Sequence, residues 1–253
     1  MKLDCVLTAC NTNPLYYGFI PLFIKSWKKL YPEVDVKVIL INDIIPDDLK
    51  EYLDNIILYI PPENVSTAFI SQYIRILYPS ILKYKNGIII SDIDMLPMNN
   101  SYYTKPIEHI DDNKFIAFRP IWVTGCNNQI CICYNIALST TWSTIFNIHN
   151  LEDISTRLKE IHSSIVYVDG HNKSGWSTDQ LDLHKYVIDW NTKTNNFIVL
   201  DDNETKYRRL DRGTFNLNPN LINLIKSGYF SDYHVWRPYL QYKEINDTIV
   251  DIL

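Results

Sequence analysis

The chain has 253 residues, with 24 Lys and Arg against 29 Asp and Glu, a formal charge of −5. No long stretch is strongly basic, which argues against nucleic-acid binding, since that affinity comes mainly from clustered Lys and Arg. With 46% hydrophobic and 13% aromatic residues, the chain has enough apolar surface for a large core. Intrinsic disorder is excluded, and the length fits one domain.

The chain opens on Met1-Lys2-Leu3-Asp4-Cys5-Val6-Leu7-Thr8. Asp4 interrupts the apolar run, which is too short for a signal-peptide core. Nowhere does an uncharged apolar run approach the roughly 18 residues of a membrane span, so a cytoplasmic chain is the expectation. Residues 3–10 read as a strand. A helix follows, with Pro21 in its first turn and Ile20, Phe23, Ile24, Trp27 and Leu30 on one face at three-to-four spacing. Val36 to Ile41 is a second buried strand, ended by Asn42-Asp43. A short helix near Asp47 to Leu53 leads to a strand from Ile56 to Ile60, stopped by Pro61-Pro62. Ser66 or Thr67 caps a longer helix whose buried face carries Phe69, Ile70, Tyr73, Ile74, Leu77 and Ile81. Gly87 opens the apolar strand Ile88-Ile89-Ile90, which runs into Asp92 and Asp94.

The second half is more mixed. Lys114 to Phe118, Gln129 to Tyr134 and Phe197 to Leu200 read as strands, and Leu151 to His162 and Thr178 to Tyr186 as helices. Of five cysteines, Cys5 and Cys10 fall in the first strand and Cys126, Cys131 and Cys133 cluster later. Cys131 and Cys133 alternate within an apolar pattern and lack a matching second pair, so buried reduced thiols are expected rather than a zinc site.

Alternation of helices with continuous apolar strands predicts an α/β fold with a mostly parallel central sheet and helices on both faces. In such sheets ligands bind beyond the carboxyl ends of the strands. Thr8 to Asn11, Asn42-Asp43 and Asp92 to Asp94 all lie at such ends. Two carboxylates at i and i+2, leaving a buried strand, cannot both remain charged and dry without a cation. Their hard oxygens suit Mn²⁺ or Mg²⁺, which bind through a few carboxylates together with substrate phosphate oxygens.

Ile70-Ser71-Gln72-Tyr73-Ile74-Arg75-Ile76-Leu77-Tyr78, followed by Tyr84-Lys85-Asn86-Gly87-Ile88-Ile89-Ile90-Ser91-Asp92-Ile93-Asp94, resembles the GT-A glycosyltransferases, nearest to the glycogenin-like and bacterial lipopolysaccharide enzymes. The resemblance is close over residues 3–100 and looser beyond. It implies a single GT-A (Rossmann-like) domain over 1–253, with residues 1–100 binding a nucleotide sugar (UDP- or GDP-linked) and 101–253 forming the acceptor side. It implies hexosyl transfer to a glycan or glycoprotein acceptor. Asp94 would bind the metal; Asp92 would bind metal, ribose or both; Arg75 would contact the donor near its diphosphate or sugar. Thr8, Ala9, Asn11, Tyr17 and Asp43 would frame the nucleotide. Tyr16 and Tyr17 read equally well as core or surface aromatics.

Gly175-Trp176-Ser177-Thr178-Asp179-Gln180 resembles the segment that opens a helix beside the transferred sugar, which implies catalytic roles for Asp179 and Gln180. Ser177 or Thr178 would cap that helix. In an inverting enzyme Asp179 would be the general base; in a retaining one the leaving-group oxygen takes that role. Asp232-Tyr233-His234-Val235-Trp236-Arg237 resembles the late segment in which His234 would be a third metal ligand and Arg237 would contact diphosphate, though the spacing here is shorter and a glycine is missing. Arg208, Arg209 and Arg212 read as a solvated basic cluster, with contact to an anionic acceptor as the alternative.

Two other functions compete. A haloacid-dehalogenase-like phosphatase also ends an apolar strand in D-x-D, the first Asp being its nucleophile, and Asp201-Asp202 imitates its late acidic motif. There, however, the motif stands on the first strand. A non-catalytic sugar-binding protein would retain the cleft without turnover.

Overall fold

A computed structural model describes residues 1–120, 125 and 127–253. In chain order the elements are β1 (Leu3–Asn11), α1 (Phe19–Leu30), β2 (Asp35–Ile41), β3 (Ile56–Tyr59), α2 (Thr67–Leu77), β4 (Gly87–Ile90), β5 (Met95–Pro97), β6 (Phe115–Ala117), β7 (Asn135–Ala137), α3 (Ser139–Phe146), α4 (Leu151–Ser164), α5 (Thr178–Thr194), β8 (Phe197–Val199), α6 (Asp202–Thr205), β9 (Arg209–Asp211), α7 (Pro219–Lys226), β10 (Asp232–His234) and α8 (Lys243–Ile252). The predicted segment near Asp47 is a 3₁₀ helix over Asp47–Asn55.

Seven strands form the main sheet in the order β3-β2-β1-β4-β7-β6-β8. β1, β2, β3 and β4 run parallel, and β7 runs against both of its neighbours. β1 shows why the strand is largely apolar. Val6 packs into the core on one face, and Cys5, Leu7 and Ala9 into the core on the other, as period-two alternation between two covered faces requires. α1 lays Phe19, Phe23 and Trp27 on the first face, and α2 lays Phe69, Tyr73 and Ile74 on the second. The mostly parallel sheet with two covered faces is as predicted.

The chain moves outward from β1 through β2 to β3, then returns to place β4 on the other side of β1. A crevice opens where the direction reverses, beyond the strand ends. A second sheet, β5-β10-β9, closes one side of it. β10 lies antiparallel to β5, with His234 opposite Met95, and parallel to β9, with His234 opposite Asp211.

The expected strand over Gln129 to Tyr134 is not formed; the strand begins at Asn135. The Asn135 side-chain amide donates to the Cys131 and Ile132 carbonyls at 2.7 and 2.8 Å. That local bonding replaces a sheet ladder, since side-chain amides compete for the backbone. Cys131 and Cys133 therefore sit in a loop, with sulfurs 3.8 Å apart; Cys126 lies outside the described residues. Neither Ser177 nor Thr178 caps α5 through its side chain: Ser177 makes no such bond, and the Thr178 hydroxyl donates backwards to the Gly175 carbonyl at 2.8 Å. At α2 the cap is Ser66, which accepts from the Phe69 amide.

Candidate functional site

A cleft of about 260 Å³ lies at the crevice. Ala9, Cys10 and Asn11 line it from the end of β1; Ala68, Ser71, Gln72 and Arg75 line it from α2; Asp92, Ile93 and Asp94 line it from the loop after β4. The α2 positions recur at three and four residues, so they form one helical stripe turned to the cleft.

Arg75 is 6% exposed. Its guanidinium donates to Asp92 on one side and to the Asp179 Oδ2 at 3.2 Å on the other, while Nε donates to the Gln72 carbonyl at 3.2 Å. One cation is thus shared by two carboxylates. Burial acts to lower the Arg75 pKa, but the Asp92 and Asp179 charges outweigh it and the net direction is up. Asp179 is 4% exposed, and burial pushes its carboxyl up to about 7, opposed by Arg75 and reinforced by Asp92. Its Oδ1 also accepts from the Gln180 amide at 2.9 Å. Asp179 stands behind Arg75 and does not line the cleft. Gln180 is half-buried, and its carbonyl accepts from the Ile130 amide at 3.2 Å.

Around Asp94 the charge balance is reversed. Its Oδ2 lies 3.4 Å from His234 Nε2, 3.3 Å from Arg212 Nη1 and 3.5 Å from Arg237 Nη1. Burial acts to raise this carboxyl, but the His234 hydrogen bond and charge, then Arg237 and Arg212, hold it well below the usual carboxylate range. The opposite ring nitrogen, His234 Nδ1, is 2.7 Å from the Asp211 carboxylate. Nδ1 donating to Asp211 leaves Nε2 as the nitrogen turned towards Asp94. It donates to that carboxylate when the ring is charged and offers a lone pair to a metal when the ring is neutral, the usual orientation of a metal-ligating imidazole backed by a carboxylate. The backbone fixes this arrangement: the Val235 amide donates to the Asp94 carbonyl at 3.1 Å, and the Arg212 amide to the His234 carbonyl at 3.1 Å. Arg237 is held by the Tyr16 hydroxyl, with its guanidinium 5.2 Å from that ring.

Among the described residues, no three His, Cys, Asp or Glu side chains form a ready-made metal cage. The donor set nevertheless fits a hard divalent ion that completes its shell on a ligand. Asp94 and the His234 Nε2 converge, and the half-exposed Asp92 lies two residues away on the same loop. Such ions commonly use few protein ligands together with substrate phosphate oxygens.

Of the residues singled out from the sequence, Ala9, Asn11, Arg75, Asp92, Asp94, His234 and Arg237 line the cleft. Thr8 is fully buried in β1, so its side chain faces the core. Tyr17 turns away to donate to Asp48 at 2.7 Å, and Tyr16 lines the cleft instead. Asp43 is exposed and outside the lining. The basic cluster is solvated only at Arg208, which is exposed over the exposed Tyr229 ring; Arg209 pairs with the fully buried Asp232 at 3.0 Å, and Arg212 reaches Asp94. Asp169, His171 and Trp176, from the segment before α5, also line the cleft. Of these, Trp176 carried a signal in sequence, as part of the segment that includes Asp179.

The sequence matches no protein-family profile and no curated protein. Solved structures do match. Galactosyltransferase LgtC, crystallised with donor and acceptor sugar analogues, superposes with a TM-score of 0.53 at 13% identity, over 98% of this chain and 96% of that one. The fold is that of the GT-A glycosyltransferases. Apo GlyE from Streptococcus pneumoniae TIGR4 gives 0.52 at 14% identity, and the bifunctional glycosyltransferase WbbM gives 0.51 at 10%. The match covers 98% of this chain in both cases, but 60% of the GlyE chain and 49% of the WbbM chain. In this GT-A fold the cleft occupies the strand-end crevice between β1 and β4, and Asp94 stands where the main sheet meets the small one. Among the described residues, no helix is long and apolar enough to cross a membrane.

Proposed function

We propose that the chain transfers a hexosyl group from a UDP- or GDP-linked sugar to a hydroxyl of a glycan or glycoprotein acceptor, assisted by Mn²⁺ or Mg²⁺. The observation that carries this reading is the convergence of Asp94, His234 Nε2, Arg212 and Arg237 within 3.5 Å at the mouth of a GT-A cleft. Asp94 and His234 would hold the ion, with Asp92 beside them. When bound, it supplies a charge that stabilises the departing diphosphate.

The remaining roles belong to the chain's own side chains. Arg237, steadied by Tyr16, faces the phosphate oxygens. Asn11 and Ala9 border the nucleotide at the end of β1. Arg75 stands where the sugar joins the diphosphate, and it holds Asp92 in place. Asp179 orients Arg75 through their 3.2 Å contact; its place behind the arginine supports a positioning role over that of a base acting on the acceptor. Gln180 follows it at the start of α5. Asp169, His171 and Trp176 border the side open to an acceptor, and the Trp176 ring offers an apolar face to a sugar.

The phosphatase reading loses support at the same residues. Asp92, its required nucleophile, is paired with Arg75, and Asp202 is held by a bidentate bond from Arg119 at 2.8 and 2.9 Å. A thermal-shift screen of nucleotide sugars, with and without Mn²⁺, tests the proposal, because a ligand that binds only the folded chain raises its melting temperature by mass action. A shift that needs both components is expected. No shift with any UDP- or GDP-sugar would refute it.

A further inference from the structure

The salt bridges fall into two groups on either side of the cleft. Around Arg75, one guanidinium serves two carboxylates, Asp92 and Asp179. Around Asp94, two guanidiniums share one carboxylate. Asp211, against His234 Nδ1, is the second carboxylate of this half, and a divalent ion at Asp94 would add two positive charges beside the two guanidiniums. Like charges that close repel strongly in a half-buried site, so one of the two arginines must move when a metal enters.

The geometry identifies which one. Arg237 is anchored by the Tyr16 hydroxyl and ring. Arg212 has, besides Asp94, a 3.2 Å bond to the Val235 carbonyl. It also stands just past the end of β9, in a turn, followed by Gly213 at φ +76°. The Arg212 amide is bonded to the His234 carbonyl just as the Asp94 carbonyl is to Val235, so both backbones stay in place and it is the long Arg212 side chain that can swing. Resting on the reading of the cleft as a metal and nucleotide-diphosphate site, we propose that Arg212 is an exchangeable counter-ion: it neutralises Asp94 when no metal is bound and transfers its guanidinium to the donor diphosphate when metal and donor enter. Arg212 thus competes with the metal for Asp94 and cooperates with it on the diphosphate. The planar fork suits both partners, since it donates paired bonds to carboxylate and phosphate alike.

The two roles predict effects of opposite sign, which a merely structural arginine would not give. The test compares the whole wild-type chain with Arg212→Ala, measuring Mn²⁺ alone by electron paramagnetic resonance and UDP and GDP in saturating Mn²⁺ by calorimetry. Arg212→Ala is expected to bind Mn²⁺ alone about threefold to tenfold more tightly and the nucleotide about tenfold more weakly, the size of one charge-assisted hydrogen bond. Arg212→Lys, which keeps the charge but loses the fork, should retain wild-type Mn²⁺ affinity and lose part of the nucleotide affinity, and it carries the test if the Ala variant folds poorly. Unchanged or weakened Mn²⁺ binding in Arg212→Ala overturns the counter-ion role, and so does unchanged nucleotide affinity. Either result with a wild type that binds both ligands leaves the cleft's function standing. A wild type that binds neither Mn²⁺ nor nucleotide overturns that function, and this assignment with it.

Discussion

Arg75 and Asp94 hold opposite stakes at the residue scale. Arg75→Lys preserves charge but cannot bridge Asp92 and Asp179 with one planar group; misplacing Asp92 in this way should lower turnover by about 10–10²-fold. Steady-state rates at subsaturating donor check this, and wild-type rates would return Arg75 to a structural role. Asp94→Asn removes the carboxylate that His234, Arg212 and Arg237 surround, and activity should fall by about 10²-fold or more while circular dichroism stays native. Full activity of this variant, or of the wild type in EDTA, would refute the metal assignment. Asp179 carries the pH dependence. Its carboxyl is pushed from 3.8 up to about 7, so between these values the folded chain binds more protons than the unfolded one. Stability from this group is full below about pH 4 and is lost as pH rises towards 7. Asp179→Asn should flatten that decline, as read from urea unfolding at several pH values. A slope unchanged by the substitution would show that Asp179 ionises normally.

At the element scale, the small sheet decides where His234 and Arg212 stand. β10 is three residues long and is held by Asp232, fully buried, which accepts from Tyr134 at 2.7 Å and pairs with Arg209 at 3.0 Å. Removing one member of such a buried pair leaves an uncompensated charge. Asp232→Ala should therefore cost about 3–5 kcal/mol of stability, measured by chemical denaturation, and should weaken nucleotide binding through the displaced sheet. A loss under about 1 kcal/mol would mean that Arg209 finds water instead. These elements also mark where sequence reading fails. β1, β2 and β4 were legible because each carries a mostly apolar run that leads into polar residues. β5, β9 and β10 have three residues apiece, too few for any periodicity, and the β5–β10 pairing joins segments more than a hundred residues apart. Arg212 was misjudged as surface because its place follows from the register of Asp211 against His234, which no local pattern encodes. The strand expected at 129–134 failed because Asn135 takes the carbonyls that a ladder would have used.

At the scale of the whole molecule, the place of the acidic loop was legible because a buried strand ending in two carboxylates needs positive partners; at the strand-end crevice of the GT-A fold Arg75 meets Asp92, and Arg212 and Arg237 meet Asp94. His234 and Arg237 were reached through resemblance alone, and Tyr16 was indistinguishable in sequence from Tyr17 until one faced the cleft and the other Asp48. Metal-dependent transfer from a nucleotide sugar is tested most directly by release of nucleoside diphosphate from a panel of UDP- and GDP-sugars with a glycan acceptor mixture. At least one donor should be turned over with Mn²⁺ or Mg²⁺, and release should stop in EDTA. Release unaffected by EDTA, or tight donor binding with no release under any condition, would contradict the account.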